Sequence, residues 1–485
     1  MTILLASAEL EHFAKVGGLA DISAALPIGW EKLGHDPIIV LPKYACISES
    51  DSITLIDMHI ELSICSHTVH VYKSHIQHTM IPVYLLECDE LYQRPGIYGN
   101  PDGYVDNDLR FYVLCKAAFE IMIKLHISPD VISAHDYHTA LLLPLLKLDY
   151  AHHPLFARTK GILTIHNAQY QGWYDNYRMH DISNWDFLND SFESWFLFNN
   201  SFNALYAGIN FSDAIVAVSP GYAMEVLTEQ FGEGLEQVFQ QYQYKLHGIL
   251  NGVNYESWKP EKDEYLNKHF SPNHLEGKYE GKQILIERSF SKNRHNDSLP
   301  LFGIVSRFTS QKGLDILNGC IEQFLHEESQ RLVVLGSGDK RYQEYFTQLQ
   351  KRFPTVCSYT QGYDESLAHA ILAYSDFFLM PSAFEPCGLT QIYAMNYGTI
   401  PIVRKVGGLK DTVLDFDSNP MNGNGLVFTD FSSEELAKCI ERAISCHTDK
   451  QMMNILIQNA MQSHFPISAT AEQYVKLFNS LRDTH

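Results

Sequence analysis

The chain has 485 residues, 45% of them hydrophobic and 19% charged, and a formal net charge of −21. That composition belongs to a folded globular chain long enough for two large domains or more. The acidic balance excludes a general affinity for nucleic acid or anionic membrane surfaces, both of which demand a basic face, so any anion must be held by positive charge focused at particular turns. No apolar run is long enough to span a bilayer; the longest candidate, 140–148, is short and contains Pro144 and Lys147. No basic stretch followed by an apolar one and a cleavage site is visible, so a cytoplasmic protein is expected. The nine cysteines are scattered without CxxC pairs or metal-type spacing and read as reduced, mostly buried thiols.

In chain order, residues 3–6 read as a first strand. Leu19, Ile22, Leu26, Trp30 and Leu33, three and four apart, mark one face of a helix over 18–33. Gly34 ends it, and 38–41 form the next strand. The turn between strand and helix reads Lys15-Val16-Gly17-Gly18-Leu19-Ala20-Asp21. Open backbone N–H groups and the helix dipole favour an anion there, the two glycines let it approach, and Lys15 adds a mobile charge. A tight turn with a solvated lysine explains the same residues, and the turn alone leaves both readings open. His67, His70, His75 and His78 fall in a Thr/Ser/Val-rich stretch patterned as a hairpin and are read as surface residues. Asp106-Asn107-Asp108 has the look of a metal-carboxylate triplet, but short acidic triplets arise readily by chance.

Further strands end in polar residues: 131–134 before His135-Asp136-Tyr137-His138, 161–165 before His166-Asn167, and 214–218 before Ser219-Pro220-Gly221. The composition turns charged and polar between 259 and 300. The domain boundary is placed near Asn251-Gly252, with 259–300 as the exposed start of the second half. That half opens as the first does: a strand at 301–305, a polar turn at 306–313, a helix carrying Leu314, Leu317, Ile321, Phe324 and Leu325, and a strand at 331–335. Gly336-Ser337-Gly338 lacks the third glycine of a dinucleotide fingerprint and reads as a turn. Strands at 377–380 and 400–403 precede Pro381-Ser382 and Arg404, and 467–481 reads as a last helix. Strands alternating with helices predict parallel sheets covered on both faces. Ligands bind such sheets at the carboxyl ends of the strands, where these polar residues collect. The expected architecture is two doubly wound α/β domains facing each other across a cleft.

Three positive groups, Lys15, Arg307 and Lys312, lie on strand-to-helix turns. The segment from Pro381 to Thr390 is another such turn, and Gly407-Gly408-Leu409-Lys410-Asp411-Thr412 opens one more helix. Glu385 is a carboxylate among groups suited to anions, which makes sense if it binds sugar hydroxyls or balances growing positive charge. Together these groups suit a nucleoside diphosphate sugar, with a guanidinium and an ammonium on the leaving diphosphate and His166-Asn167 on the sugar hydroxyls. Taken singly, the residues also fit a solvated cation pair, a helix N-terminal carboxylate and satisfied core histidines.

The same motifs, together with Asn251-Gly252-Val253, resemble those of bacterial glycogen synthases and plant starch synthases, in that family's order from residue 15 to about 412. The resemblance implies a GT-B fold of two Rossmann-like domains: 1–252 on the acceptor side, 253–465 on the nucleotide-sugar side, and a helix at 466–485 crossing back to the first. It implies a retaining glucosyltransferase that extends an α-1,4-glucan from ADP-glucose, with no metal or other cofactor. By motif, Arg307 and Lys312 would contact the donor diphosphate. Lys15 with Gly17-Gly18 would close over the donor, with Asn251 also on the donor side. His166 and Asn167 would bind the transferred glucose. Glu385 would bind its hydroxyls, framed by Cys387, Gly388, Leu389 and Thr390, and Asp21 and Asp136 would lie on the sugar or acceptor side. Many related transferases carry a second glutamate eight positions after the first; here that position is Tyr393, as the resemblance to glycogen synthases implies. The implied reaction is front-face displacement through an oxocarbenium-like transition state, with domain closure excluding water. UDP-glucose as donor, another GT-B transferase or phosphorylase, and a non-catalytic glucan-binding relative are the competing readings.

Overall fold

The computed structural model describes residues 1–50, 53–99, 103–187, 193–290 and 298–483. They divide into two compact units, Met1–Val253 with Ile467–His485, and Asn254–Pro466. No helix among the described residues is long and apolar enough to cross a membrane.

The strands of the first unit are β1 (Thr2–Ala6), β2 (Asp36–Pro42), β3 (Ile56–Ile64), β4 (His67–His75), β5 (Pro82–Glu87), β6 (Val131–His135), β7 (Lys160–Ile165), β8 (Trp173–Tyr174), β9 (Leu197–Phe198), β10 (Ser201–Asn203), β11 (Ala214–Ala217) and β12 (Leu246–Gly248). Nine of them form one sheet in the order β12-β11-β7-β6-β1-β2-β5-β4-β3. The run from β12 to β5 is parallel, and β4 and β3 add an antiparallel hairpin. The parallel core strands are mainly apolar because helices cover both faces, with Ser133 and His135 on β6 and Thr164 on β7 as buried polar exceptions. The strand order reverses between β6 and β1, which opens a crevice at their carboxyl ends. Strands β8, β10 and β9 form a separate small antiparallel sheet.

The helix Gly18–Lys32 buries Leu19, Ile22, Leu26 and Trp30. The last helix, Ile467–Asp483, lies along it: Trp30 meets Tyr474 at 6.0 Å and Phe478 at 5.5 Å between ring centroids. A Cβ at Gly29 would come within 2.7 Å of the Ala471 Cβ, so the two helices touch nearly backbone to backbone. Tyr474 also shares a hydroxyl–hydroxyl bond of 3.0 Å with Thr164 on β7.

The second unit carries β13 (Leu301–Phe308), β14 (Arg331–Gly338), β15 (Cys357–Gln361), β16 (Phe377–Met380), β17 (Ile400–Arg404) and β18 (Leu426–Phe428), all parallel, in the order β15-β14-β13-β16-β17-β18. The order reverses between β13 and β16, the second point at which a doubly wound sheet opens a crevice.

Three expectations need correction. The polar turn begins later than 306, because β13 and β14 run on through Ser306–Phe308 and Gly336–Gly338, paired by backbone bonds that take no account of side-chain polarity. The single helix over 314–325 is two, Leu314–Asn318 and Ile321–His326, with the break at Gly319-Cys320. Residues 259–300 are not a wholly exposed stretch, although 291–297 lie outside the described residues. The helix Glu276–Ser289 inside that range buries Lys278, Lys282, Leu285 and Ile286. Lys278 Nζ donates to the carbonyls of Ala373 and Ser375 and to the Thr399 hydroxyl, and Lys282 pairs with Asp376 at 2.5 Å. These lysines satisfy the carbonyl end of the helix Glu365–Tyr374 and the buried Asp376, so charge in the sequence is not exposure in the fold.

Candidate functional site

In the second unit, the turn after β13 and the turn after β16 flank the reversal of strand order. Gly313 has φ of +68° and its backbone passes so near the other turn that a Cβ would lie 1.9 Å from the Pro381 carbonyl oxygen. Only glycine fits there. The close approach locks the two turns together, with the Ala383 N–H donating to Gln311 O at 2.8 Å and the Gln311 amide to Phe384 O. It also brings Lys312 to Glu385: the ammonium donates to Glu385 Oε2 at 2.7 Å, and the Ser382 hydroxyl donates to the same oxygen at 2.9 Å. Glu385 is buried, while Lys312 keeps 22% of its side chain exposed. Arg307 is exposed at the end of β13.

Residues Cys387, Gly388, Leu389 and Thr390 lead into the helix Thr390–Asn396. Gly388 has φ of +70°, and the buried Gln391 amide donates to Cys387 O, Gly388 O and the Thr412 hydroxyl, which fixes this loop to the helix Gly407–Thr412. The Thr390 hydroxyl donates to Met380 Sδ rather than capping the helix. Tyr393, at the position eight after Glu385, is buried and stacks on Trp258 at 4.0 Å; His369 stacks on Trp258 at 3.9 Å. Its ring has a packing role there that a glutamate could not fill.

In the first unit, the crevice between β1 and β6 gathers a second group. Asp136 sits just past β6 with φ of +54°, a conformation that costs a non-glycine residue energy and recurs at functional sites. Its Oδ1 accepts the backbone N–H groups of His166 at 2.7 Å and Asn167 at 3.3 Å, joining the ends of β6 and β7. His135 and His166 share a ring–ring hydrogen bond of 2.9 Å, and the other His135 nitrogen meets the Ser133 hydroxyl at 3.1 Å. His138 stacks on Tyr98 at 4.8 Å. Asn251 is buried near β12, its N–H on Val218 O.

The glycine turn after β1 departs from expectation. The N–H groups of Val16 and Gly17, read from sequence as open to an anion, both donate to Glu9 Oε2, at 2.7 and 2.8 Å. Glu9 is buried, and its other oxygen accepts the Tyr98 hydroxyl at 2.5 Å. Lys15 pairs with Asp21 at 2.6 Å and Glu11 at 3.7 Å, so it is not simply solvated. An internal carboxylate thus already fills the anion seat. Sequence reading missed Glu9 and Tyr98, which lie 89 positions apart and show no local pattern. The acidic triplet is spoken for as well: Asp106 pairs with Arg94 at 2.8 Å and Asp108 with Arg178 at 2.5 Å.

Burial pushes His166 down to about 4 and His138 to about 3; burial and the neighbouring His166 hold His135 well below its usual range. These folded histidines refuse protons that the unfolded chain accepts below about 6.5. Their contribution to stability is complete above pH 6.5 and is lost as pH falls towards 4. Asp136 works in the opposite sense. Burial raises it to about 7 against the donated bonds of His166 and Asn167, so the stability it contributes at low pH is lost as pH rises from about 4 to about 7. His166→Gln is expected to lose ground to the native chain at pH 8 and to recover it as pH falls from 6.5 to 4. Thermal melts of both proteins across that window check this; parallel curves would mean His166 is not held neutral.

Comparison with known proteins decides the family. The starch synthase catalytic domain family matches residues 2–241, and glycosyl transferases group 1 matches 286–463. The chain belongs to the glycogen and starch synthase family. It is 36% identical to the glycogen synthase of Alkaliphilus metalliredigens, over 99% of this chain and 100% of that one. It is 37% identical to that of Thermosipho melanesiensis, over 99% and 98%. The catalytic domain of starch synthase IV from Arabidopsis thaliana, solved bound to ADP and acarbose, superposes with a TM-score of 0.89 at 30% identity, covering 99% of each chain. Sucrose-phosphate synthase from Thermosynechococcus elongatus, at 16% identity and a TM-score of 0.61, shares the fold alone. The protein is a glycosyltransferase of GT-B fold.

Proposed function

We propose that this enzyme transfers glucose from ADP-glucose to the non-reducing end of an α-1,4-glucan with retention of configuration. The observation that carries this reading is the Lys312–Glu385–Ser382 cluster at the point where the second sheet reverses its strand order, with Arg307 exposed at the end of the adjoining strand. A diphosphate leaving group develops negative charge, and an ammonium and a guanidinium stabilise that charge without a metal. The anomeric carbon develops positive charge, and a buried carboxylate beside it is stabilising in the transition state. Glu385 is already desolvated and aimed by two donors, so little reorganisation is needed when the sugar arrives. The phosphate oxygen that departs takes the proton of the acceptor hydroxyl, which leaves Glu385 free to bind sugar hydroxyls.

On the first unit, Asp136, His166 and Asn167 would hold the transferred glucose, the neutral imidazole bonding a hydroxyl without adding a positive charge that would oppose the oxocarbenium. Lys15, Gly18 and Asn251 would complete the donor side and Asp21 the sugar side, while the Gly17 N–H is held by Glu9. The glycogen synthase relatives and the starch synthase bound to ADP and acarbose support the glucan acceptor and the adenine nucleotide. The nine cysteines, none in a disulfide, suit the cytoplasm.

The test is glucose incorporation into glycogen from ADP-glucose and UDP-glucose side by side, with EDTA present. Strong incorporation from ADP-glucose is expected. Preference for UDP-glucose would overturn the donor assignment, loss of activity in EDTA would overturn the metal-free mechanism, and incorporation from neither would overturn the enzyme reading.

A further inference from the structure

Gln391 is a fully buried polar side chain that the proposed reaction does not use, and only one end of its amide is satisfied. The nitrogen faces three oxygens: the carbonyls of Cys387 at 3.3 Å and Gly388 at 2.9 Å, and the Thr412 hydroxyl at 3.2 Å. Thr412 donates its own proton to the Gly408 carbonyl at 2.8 Å, so it accepts from Gln391. These neighbours fix which end of the amide is the nitrogen, because the opposite setting would press an oxygen against two carbonyls. The amide oxygen is then left with no donor among the described residues. It lies against Gly388, where a Cβ would come within 2.5 Å of it. An unpaired buried oxygen costs stability, and an apolar side chain of the same length would avoid that cost. What the amide adds is control over two carbonyls.

Those carbonyls decide where the N–H groups of the loop point. In a planar trans peptide the N–H lies opposite to the C=O. With the carbonyls of Cys387 and Gly388 drawn onto the buried amide, the N–H groups of Gly388 and Leu389 are turned to the other side, and neither bonds to another group among the described residues. Both residues are half-buried, so that side is the open one. Gly388, at φ of +70°, is left-handed, and Leu389, at φ of −117° and ψ of −31°, is right-handed. Neighbours of opposite hand curve their N–H groups into a concave set of donors that suits an anion. The start of the loop is anchored in the same manner: the Gly408 N–H donates to the carbonyls of Glu385 at 3.0 Å and Pro386 at 3.2 Å. The carbonyls of Glu385, Pro386, Cys387 and Gly388 are therefore all held by Gly408 and Gln391, and Thr412 ties those two residues together. The Lys312 ammonium stands on Glu385 at the head of the same loop.

We propose that Gln391 is a positioning residue for the donor: by holding the Cys387 and Gly388 carbonyls inward, its amide aims the N–H groups of Gly388 and Leu389 at the diphosphate of the nucleotide sugar. This role rests on the reading of the enzyme as a nucleotide-sugar transferase. It explains why a side chain out of reach of water keeps an amide whose oxygen is unpaired.

The test is isothermal titration calorimetry of the full chain with ADP and with adenosine, which lacks the phosphates. Gln391→Met keeps the length of the side chain and removes both N–H donors; Gln391→Glu keeps the shape and faces the two carbonyls with oxygen. In both variants the affinity for ADP is expected to fall about ten- to hundredfold, while that for adenosine stays within about twofold of native. A side chain that only stabilised the fold would weaken both ligands alike or neither, and either result would overturn the positioning role and leave the enzyme reading intact. Thermal melts identify a variant that fails to fold, and the other then decides; failure of both would overturn the role as well, since Gln391 would then be needed for folding itself. The same comparison with UDP and uridine applies if UDP is the nucleotide bound. A native chain that binds neither ADP nor UDP would overturn the donor reading, and the role of Gln391 with it.

Discussion

Glu385→Ala is expected to lower glucose transfer by about 10²–10³-fold, the scale of removing one preorganised electrostatic group from a transition state. The carboxylate does two things at once in this fold. On the proposed reaction its burial would make it interact strongly with charge that grows beside it, and it holds the Lys312 ammonium in place at 2.7 Å. Removing it strips both functions. The stability cost is expected to be small. Lys312 is part exposed and can turn to water, which leaves the buried Ser382 hydroxyl as the main group without an acceptor, at a cost of about 1–2 kcal/mol. Glu385→Gln keeps the shape and an acceptor for Ser382 and should melt closer to the native protein, yet it lacks the charge and should remain slow. Glucose incorporation and thermal melts on all three proteins separate the two effects. Turnover within a fewfold of native in folded Glu385→Ala would remove this residue from the mechanism.

The second large effect is on folding. Phe478→Ala, in the last helix, is expected to cost about 3–5 kcal/mol, the usual range for deleting a buried aromatic ring. Phe478 is fully buried, 5.5 Å from Trp30 and 5.9 Å from Tyr474 between ring centroids. The close contact of Gly29 with Ala471 keeps the two helix backbones in place, so the cavity cannot collapse by drawing them together. Urea unfolding followed by far-ultraviolet circular dichroism measures the loss. A change below about 1 kcal/mol would mean that the last helix contributes little to the first unit.

Much of this architecture is legible in the linear chain, for a reason that applies to particular segments. Residues 3–6, 131–134, 161–165, 377–380 and 400–403 are mainly apolar runs because parallel strands are covered on both faces, and polar residues follow each because the carboxyl ends of the strands open into the crevice. Helices escape such reading when charge is buried: Lys278 and Lys282 look like solvent-facing residues and instead satisfy carbonyls and Asp376. Strand ends escape it when polar residues pair through the backbone, as at Ser306–Phe308.

The candidate site divides in the same way. Lys15, Asp136, His166, Lys312 and Glu385 stand out one by one because each follows a strand, and Arg307 because it is the one charged residue near the end of an apolar strand. Their partners do not stand out, because hydrogen bonds join residues by distance in space rather than along the chain. Lys312 and Glu385 are 73 positions apart and meet because Gly313 lets one turn pass against the carbonyl of Pro381. Glu9 holds the amides of the glycine turn and takes the Tyr98 hydroxyl across 89 positions, which turns an apparently open anion seat into an occupied one. By itself the sequence determined the alternation of strands and helices and the residue types at the strand ends, since both follow from local patterns of burial. The tertiary structure alone decided which of those residues are paired, which are neutral and which are exposed, since those properties depend on the long-range packing that sets each group's neighbours and its distance from water.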